Sequence, residues 1–336
     1  MSLSPEFVRV YHGARAWPYR AISIENVGMS KPIPIRMGGY GPPTTGFSRA
    51  LKFIGDKLQT EFGDGVTIEY IWNIMDCGHK AQDILTLVEN GEMTLGYQSS
   101  SYLTDRVPEL GFVDLPFLFA DNAQARGAMD GALGAYLARM TEERINYRIL
   151  GWFENGFRHI SNRLRPIHVP ADLKGMKIRV LPSEIQKRTF EVLGAVALRM
   201  DLTEAIAMIK ANTLDAQENP LANTVTYGVH RFHTFHTLTS HFYISRPVFL
   251  HRTSFDAWPD DLKHAMRQAV TQAVAFQRQL AVEEHEASRR IIEDAGCEIV
   301  ELNAKEHAAF VAAVQPMLAD AGNLYGTKMF KMVAKA

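Results

Sequence analysis

The sequence predicts an α/β architecture spread over about two domains. Three observations carry that expectation. Strand-like and helix-like segments alternate from Ile33 to Gln98 and again from about Gly151 to Ser240, as in sheets covered by helices. Between Pro259 and Gly296 lie 36 residues, Asp260 to Ala295, with neither Pro nor Gly. The chain has 336 residues, 46% hydrophobic and 22% charged, enough for two ordinary cores without staples.

Each element follows from local pattern. Ile33 to Met37 reads as a strand, and Gly38, Gly39, Gly41, Pro42 and Pro43 break it into a loop. Phe47, Ala50, Leu51, Ile54 and Leu58 recur at helical spacing. Val66 to Trp72 alternates as a strand, a helix is expected from about His79 to Asn90, and Gly91 sits where a left-handed stop belongs. Met93 to Gln98 is a third strand, ending in Gln98-Ser99-Ser100-Ser101. Tyr147 to Phe153 and Met176 to Leu181 are strands, the first followed by a turn at Gly156. Ser183-Glu184-Ile185-Gln186 has the spacing of a capping box, opening a helix that Gly194 ends. Thr203 to Ala211 is a short helix. The run Asp260 to Ala295, threaded by Leu262, Met266, Val270, Val274, Leu280 and Ile291, would be roughly 54 Å long as one helix. It either breaks or lies along two lobes and ties them together, and the second reading fits an intact Pro- and Gly-free run better.

Composition excludes several classes. Lys and Arg total 36 and Asp and Glu 37, a formal net charge of −1, which argues against a nucleic-acid binder. No apolar stretch reaches the length of a membrane span. Two cysteines, Cys77 and Cys297, give neither a disulfide framework nor a Cys-based zinc site. Glycine-rich nucleotide loops, zinc-protease helices and serine nucleophile elbows are absent. No cofactor and no metal are expected. Met1 to Pro32 mixes Arg, Tyr, Trp and Pro without periodicity or the apolar run of a secretory signal, and reads as an N-terminal arm, an expression remnant or a mis-called start.

Some side chains could carry chemistry. In Lys177-Ile178-Arg179-Val180-Leu181 alternation puts Arg179 opposite to Ile178 and Val180, at the C-terminal end of its strand, where open α/β sheets bind ligands. A guanidinium there grips a carboxylate through two parallel hydrogen bonds. The alternative is a solvent-facing arginine at a strand end. Arg158 follows the Gly156 turn and has the same two readings. Asp215-Ala216-Gln217-Glu218-Asn219-Pro220-Leu221 is a polar cluster in which Asn219 can orient a bound acid and Glu218 can hold an arginine. It also reads as a plain Asn-Pro turn. His230, His233, His236 and His241 could suggest a metal, but no acidic ligand lies among them, and a polar surface or pocket fits them better.

These segments, taken in order, carry a resemblance. Pro170-Ala171-Asp172-Leu173-Lys174-Gly175-Met176-Lys177-Ile178-Arg179-Val180 and Asp215-Ala216-Gln217-Glu218-Asn219-Pro220-Leu221-Ala222 are its strongest parts, with Leu193-Gly194-Ala195 between them. Glu89-Asn90-Gly91-Glu92, Asp114-Leu115-Pro116-Phe117-Leu118-Phe119 and Ser240-His241-Phe242-Tyr243 add to it. From about Ile33 to Asp320 the chain resembles the DctP-type substrate-binding proteins of tripartite ATP-independent periplasmic (TRAP) transporters.

The resemblance implies a two-lobe periplasmic-binding-protein-like fold, with a long helix spanning both lobes and a ligand cleft between them. Residues 33–156 plus about 245–284 would form the N-terminal lobe, and 157–244 plus about 285–336 the C-terminal lobe. It implies that Arg179 pairs with a substrate carboxylate and that Arg158 and Asn219 line the cleft. Glu218 and His241 would stand behind Arg179, and Tyr40, Gln98 and Ser99 would contribute from the N-terminal lobe. The implied function is capture of a small organic acid by hinge closure and its delivery to TRAP permease subunits by a periplasmic monomer that catalyses nothing. Leu202 replaces the aromatic residue of sialic-acid binders and Pro182 their polar residue, which argues against sialic acid. Two other readings stay open: a cytoplasmic enzyme acting on an organic acid, and a ligand-sensing module for a signalling receptor.

Overall fold

The computed structural model of the protein describes residues 9–10 and 31–334; the rest of the expected N-terminal arm lies outside the described residues. The strands are β1 Arg9–Val10, β2 Ile33–Gly38, β3 Val66–Ile71, β4 Leu95–Tyr97, β5 Tyr147–Asn162, β6 Lys177–Val180, β7 Val196–Arg199, β8 Ala216–Asn219, β9 Phe235–His251 and β10 Glu298–Glu301. The α/β class expected from the alternation is the one observed. The chain divides into two compact units: residues 1–98, 141–153 and 247–279, and residues 99–140, 154–246 and 280–336.

In the first unit β2 lies between β3 and β4, parallel to both, and β4 pairs antiparallel with the end of β9, Leu95 opposite Leu250. The two-residue β1 pairs with β3. Thr45 caps the helix Gly46–Phe62 by accepting from the Ser48 amide, and Ala50, Leu51, Ile54 and Leu58 are its buried stripe. Gly55 is needed where that helix meets β3, since a Cβ there would stand 1.9 Å from the Tyr70 hydroxyl.

In the second unit β6 lies between β7 and β8, parallel to both, and β8 pairs antiparallel with the end of β5. Ile178, Val180, Ala197, Ala216 and Ile160 from these strands pack with Phe190, Phe242, Phe310 and Val314. The helices Glu184–Val192 and Ala304–Val333 supply Phe190, Phe310 and Val314; the second helix kinks at Gly326. Residues 99–140 group with this unit, not with the first as the resemblance implied. The reason is a buried polar tie: the Ser101 hydroxyl donates to Asp114 at 2.6 Å, and Gln186 Nε2 donates to both, at 3.0 and 3.1 Å.

That tie also corrects the expected capping box. Ser183 caps the helix by accepting from the Gln186 amide at 3.4 Å, but the Gln186 side chain turns to Ser101 and Asp114 instead of returning to Ser183. The expected turn at Gly156 is absent too. Gly156 takes φ +87° inside the continuous strand β5, a conformation glycine adopts without steric cost.

The run between Pro259 and Gly296 is one helix, Asp260–Asp294, about 52 Å long at 1.5 Å per residue. It enters as part of the first unit and leaves as part of the second. Its end is a Schellman motif: the Gly296 amide bonds to the Glu293 carbonyl and the Cys297 amide to that of Ile292, with Gly296 at φ +79°.

Candidate functional site

Strand register assembles the polar residues of the second unit. Arg179 on β6 stands level with Gln217 on β8, and β8 sets Gln217 and Glu218 level with Ser161 and Ile160 of β5. Alternation therefore gives Arg179, Gln217 and Asn219 one side of the sheet and Glu218 the other. Asn219 Nδ2 donates to Gln217 Oε1 at 2.5 Å, and Gln217 Nε2 donates to the hydroxyls of Ser161 and Thr224, each at 3.1 Å.

Arg179 is not at the solvent; it is 1% exposed. Its Nε donates to the Met200 carbonyl and its Nη2 to the Tyr102 hydroxyl, both at 3.1 Å. Among the described residues no carboxylate pairs with it and Nη1 makes no hydrogen bond. A guanidinium has five N–H donors, so three remain, one on Nη2 and two on Nη1. A buried cation without a counter-charge is costly.

Arg158 is also 1% exposed, yet its situation is the opposite. Nε and Nη2 grip the Glu218 carboxylate, and Nη2 also donates to the Glu218 carbonyl at 2.6 Å. Glu218 thus holds Arg158, not Arg179, which corrects the expected arrangement. Register explains it: Glu218 faces away from Arg179 and level with Ile160, on the side that alternation gives Arg158. His241 Nε2 lies 3.5 Å from Glu218 Oε2, and its Nδ1 shares a 2.6 Å hydrogen bond with Thr239. Burial works to raise the Glu218 carboxyl, but Arg158 and His241 outweigh it and hold it below the ordinary glutamate value. Burial pushes the His241 imidazole down despite the pull of Glu218.

The other expected residues fall in both units. Ser99 is buried in the second unit and opens the turn Ser100–Leu103, its carbonyl accepting from the Tyr102 amide. Tyr40 and Gln98 belong to the first unit. Tyr40 lies 5.4 Å from the Tyr97 ring, and Gln98 Nε2 donates to the Ala81 carbonyl at 2.9 Å. The histidines do not gather around an ion. His233 meets the Ser161 hydroxyl at 3.0 Å and His236 meets the His233 carbonyl. No cluster of three or more His, Cys, Asp or Glu among the described residues could hold a metal.

Tyr102 was not singled out from the sequence. Its hydroxyl accepts from Arg179 Nη2 and from the Leu202 amide at the start of the helix Leu202–Lys210. Burial pushes its phenol up to about 12, against the lowering field of Arg179. The only signal was its place directly after the polar run that ends at Ser101.

The model of the bacterial extracellular solute-binding protein family 7, DctP, matches residues 77–323. The chain belongs to this family. It is 30% identical over 220 residues to the 2,3-diketo-L-gulonate-binding periplasmic protein of Escherichia coli K12, covering 66% of this chain and 67% of that one. It is 26% identical over 318 residues to the C4-dicarboxylate-binding periplasmic protein DctP of Rhodobacter capsulatus, covering 94% of each. Among solved structures, the sugar acid binding protein of Advenella mimigardefordensis in complex with galactonate superposes with a TM-score of 0.84 at 25% identity. That match covers 90% of this chain and 97% of the other. The TRAP periplasmic solute binding protein of Sulfurospirillum deleyianum with bound succinate shares the fold, with a TM-score of 0.84 at 23% identity and coverage of 91% and 99%. As a family 7 DctP protein, the chain is an extracellular solute-binding protein of α/β fold.

Proposed function

We propose that this DctP protein captures a small organic carboxylate, of the sugar-acid or dicarboxylate kind, at Arg179 and hands it to a TRAP permease in the membrane. The observation that carries the reading is the buried Arg179 guanidinium with three free N–H donors and no carboxylate of its own. An incoming carboxylate supplies the missing charge and takes a donor each from Nη1 and Nη2. Asn219, on the same side of the sheet as Arg179, orients a hydroxyl or the second acid of the ligand. Hinge closure on the anion excludes water and strengthens the ion pair by lowering the local dielectric. No bond is made or broken, so the protein binds without turnover, in the periplasm.

The relatives support the ligand class. A 2,3-diketo-L-gulonate binder, a C4-dicarboxylate binder and a galactonate complex all take acids with a free carboxylate. A thermal-shift screen of galactonate, erythronate, glucuronate, 2,3-diketo-L-gulonate and succinate tests this. A true ligand at 100 times its Kd adds about 2.7 kcal/mol of stability and raises the melting temperature by several degrees. A flat response to every acid, with a response to neutral sugars instead, defeats the reading.

A further inference from the structure

We propose that Tyr102 is a ligand-binding residue, donating its hydroxyl proton to the anion held by Arg179. The inference rests on the reading of Arg179 as the carboxylate anchor and goes beyond it by naming the group that completes the anchor. It comes from donor and acceptor counting. A phenol oxygen has two acceptor positions and one proton to give. Both acceptor positions are filled by groups that can only donate: Arg179 Nη2 at 3.1 Å and the Leu202 amide at 3.1 Å. The proton is therefore forced away from both partners, and among the described residues nothing accepts it.

The placement is fixed from two sides. The turn Ser100–Leu103 carries Tyr102, and its neighbour Ser101 is tied to Asp114 and Gln186. Thr104, just beyond, donates to the Pro182 carbonyl at 3.3 Å, at the end of the segment that follows β6. The hydroxyl is thereby held next to the Arg179 Nη2 amino group that retains a free N–H. A carboxylate bound across Nη1 and Nη2 has one oxygen beside Nη2, and the phenol proton is the remaining donor for it. A donor with both lone pairs occupied cannot reverse its role, so this position selects for an acceptor atom. It takes a carboxylate oxygen and rejects an amino group.

The test uses the whole chain, as wild type and two variants, with galactonate and succinate as probes. Binding is measured by calorimetry for wild type, Tyr102→Phe and Arg179→Ala, and the tyrosine absorption band is followed as probe is added. The phenylalanine variant should bind about ten- to a hundredfold more weakly, the cost of a hydrogen bond to a charged group. The wild-type tyrosine band should shift to longer wavelength on binding, and the variant should lose that shift. Wild-type affinity in Tyr102→Phe alongside lost binding in Arg179→Ala overturns the tyrosine assignment and leaves the anchor intact. Weaker binding with no band shift in the wild type makes Tyr102 a positioning residue and also overturns it. Binding unaffected by either substitution, or no binding of either probe to the wild type, overturns the anchor reading and this proposal together. If the phenylalanine variant does not fold, the wild-type shift decides alone, in favour if present and against if absent.

Discussion

Arg158 and Arg179 are equally buried, and only one has a counter-ion. The two should therefore respond oppositely to the same substitution. Arg158→Met strips the buried Glu218 carboxylate of its arginine, leaving only His241 beside it, and should cost about 3–5 kcal/mol of stability. Arg179→Met removes a buried charge that had no carboxylate partner, so the ligand-free protein should be no less stable, or more so, while binding is lost. Urea denaturation of the ligand-free variants checks both. The proposed anchor would thus trade stability for function, as binding sites commonly do. Alternation and strand-end position singled out Arg179 but left open whether it faced solvent; its burial depends on Met200 and Tyr102, which meet it only in the fold. The partner of Glu218 was not legible, because register between β5 and β8 decides it. Tyr102 was missed because its role depends on Leu202 and Arg179, distant in sequence and adjacent only in the fold.

At the scale of elements, periodicity located the strands and helices up to Gln98, the strands that open at Tyr147 and Met176 and the helices of 183–211 and 260–295. It did not deliver the long strand Phe235–His251, the short strands Val196–Arg199, Ala216–Asn219 and Glu298–Glu301, or the helices Asn122–Asp130, Ala132–Arg144 and Ala304–Val333. Even where a pattern was read, a long-range partner could override it. Gln186 satisfies the capping-box spacing, yet a buried carboxylate and hydroxyl outcompete the helix terminus for its amide. In the helix Asp260–Asp294 the expected inward residues Leu262, Met266, Val270, Val274 and Leu280 are buried, but Ile291 is 43% exposed and its neighbour Ile292 is fully buried. The buried stripe passes through Gln277, Leu280, Ser288 and Ile292. It steps by three and then by multiples of four, which sets Ile291 about 100° off its line. Polar Gln277 and Ser288 hid that stripe from a search for apolar residues.

For the whole molecule, buried titratable groups set the response to acid. Burial lowers His233 to about 3 and His236 to about 4; both take up protons near 6.5 once unfolded. The unfolded chain then binds more protons than the native one, so stability falls as pH drops from about 6.5 towards these values. Asp114 works the other way. Burial raises it from 3.8 to about 6, so the native state holds its proton longer than the unfolded chain, and acidification through that window adds stability. Burial also lowers His159, His241, His251 and His285, so the histidines prevail. The melting temperature should fall between pH 6.5 and 4, and Asp114→Asn should steepen the fall, as calorimetric scans across that range would show.

The direct test of the account is isothermal titration of wild type, Arg179→Lys and Arg179→Ala with the acid that gives the largest thermal shift. Losing one partner of a buried charge pair costs about 2–5 kcal/mol, so the alanine variant should bind about 30-fold to several thousand-fold more weakly. Lysine, unable to offer two parallel donors, should recover only part of that loss. An alanine variant that binds the acid as tightly as the wild type would contradict the account.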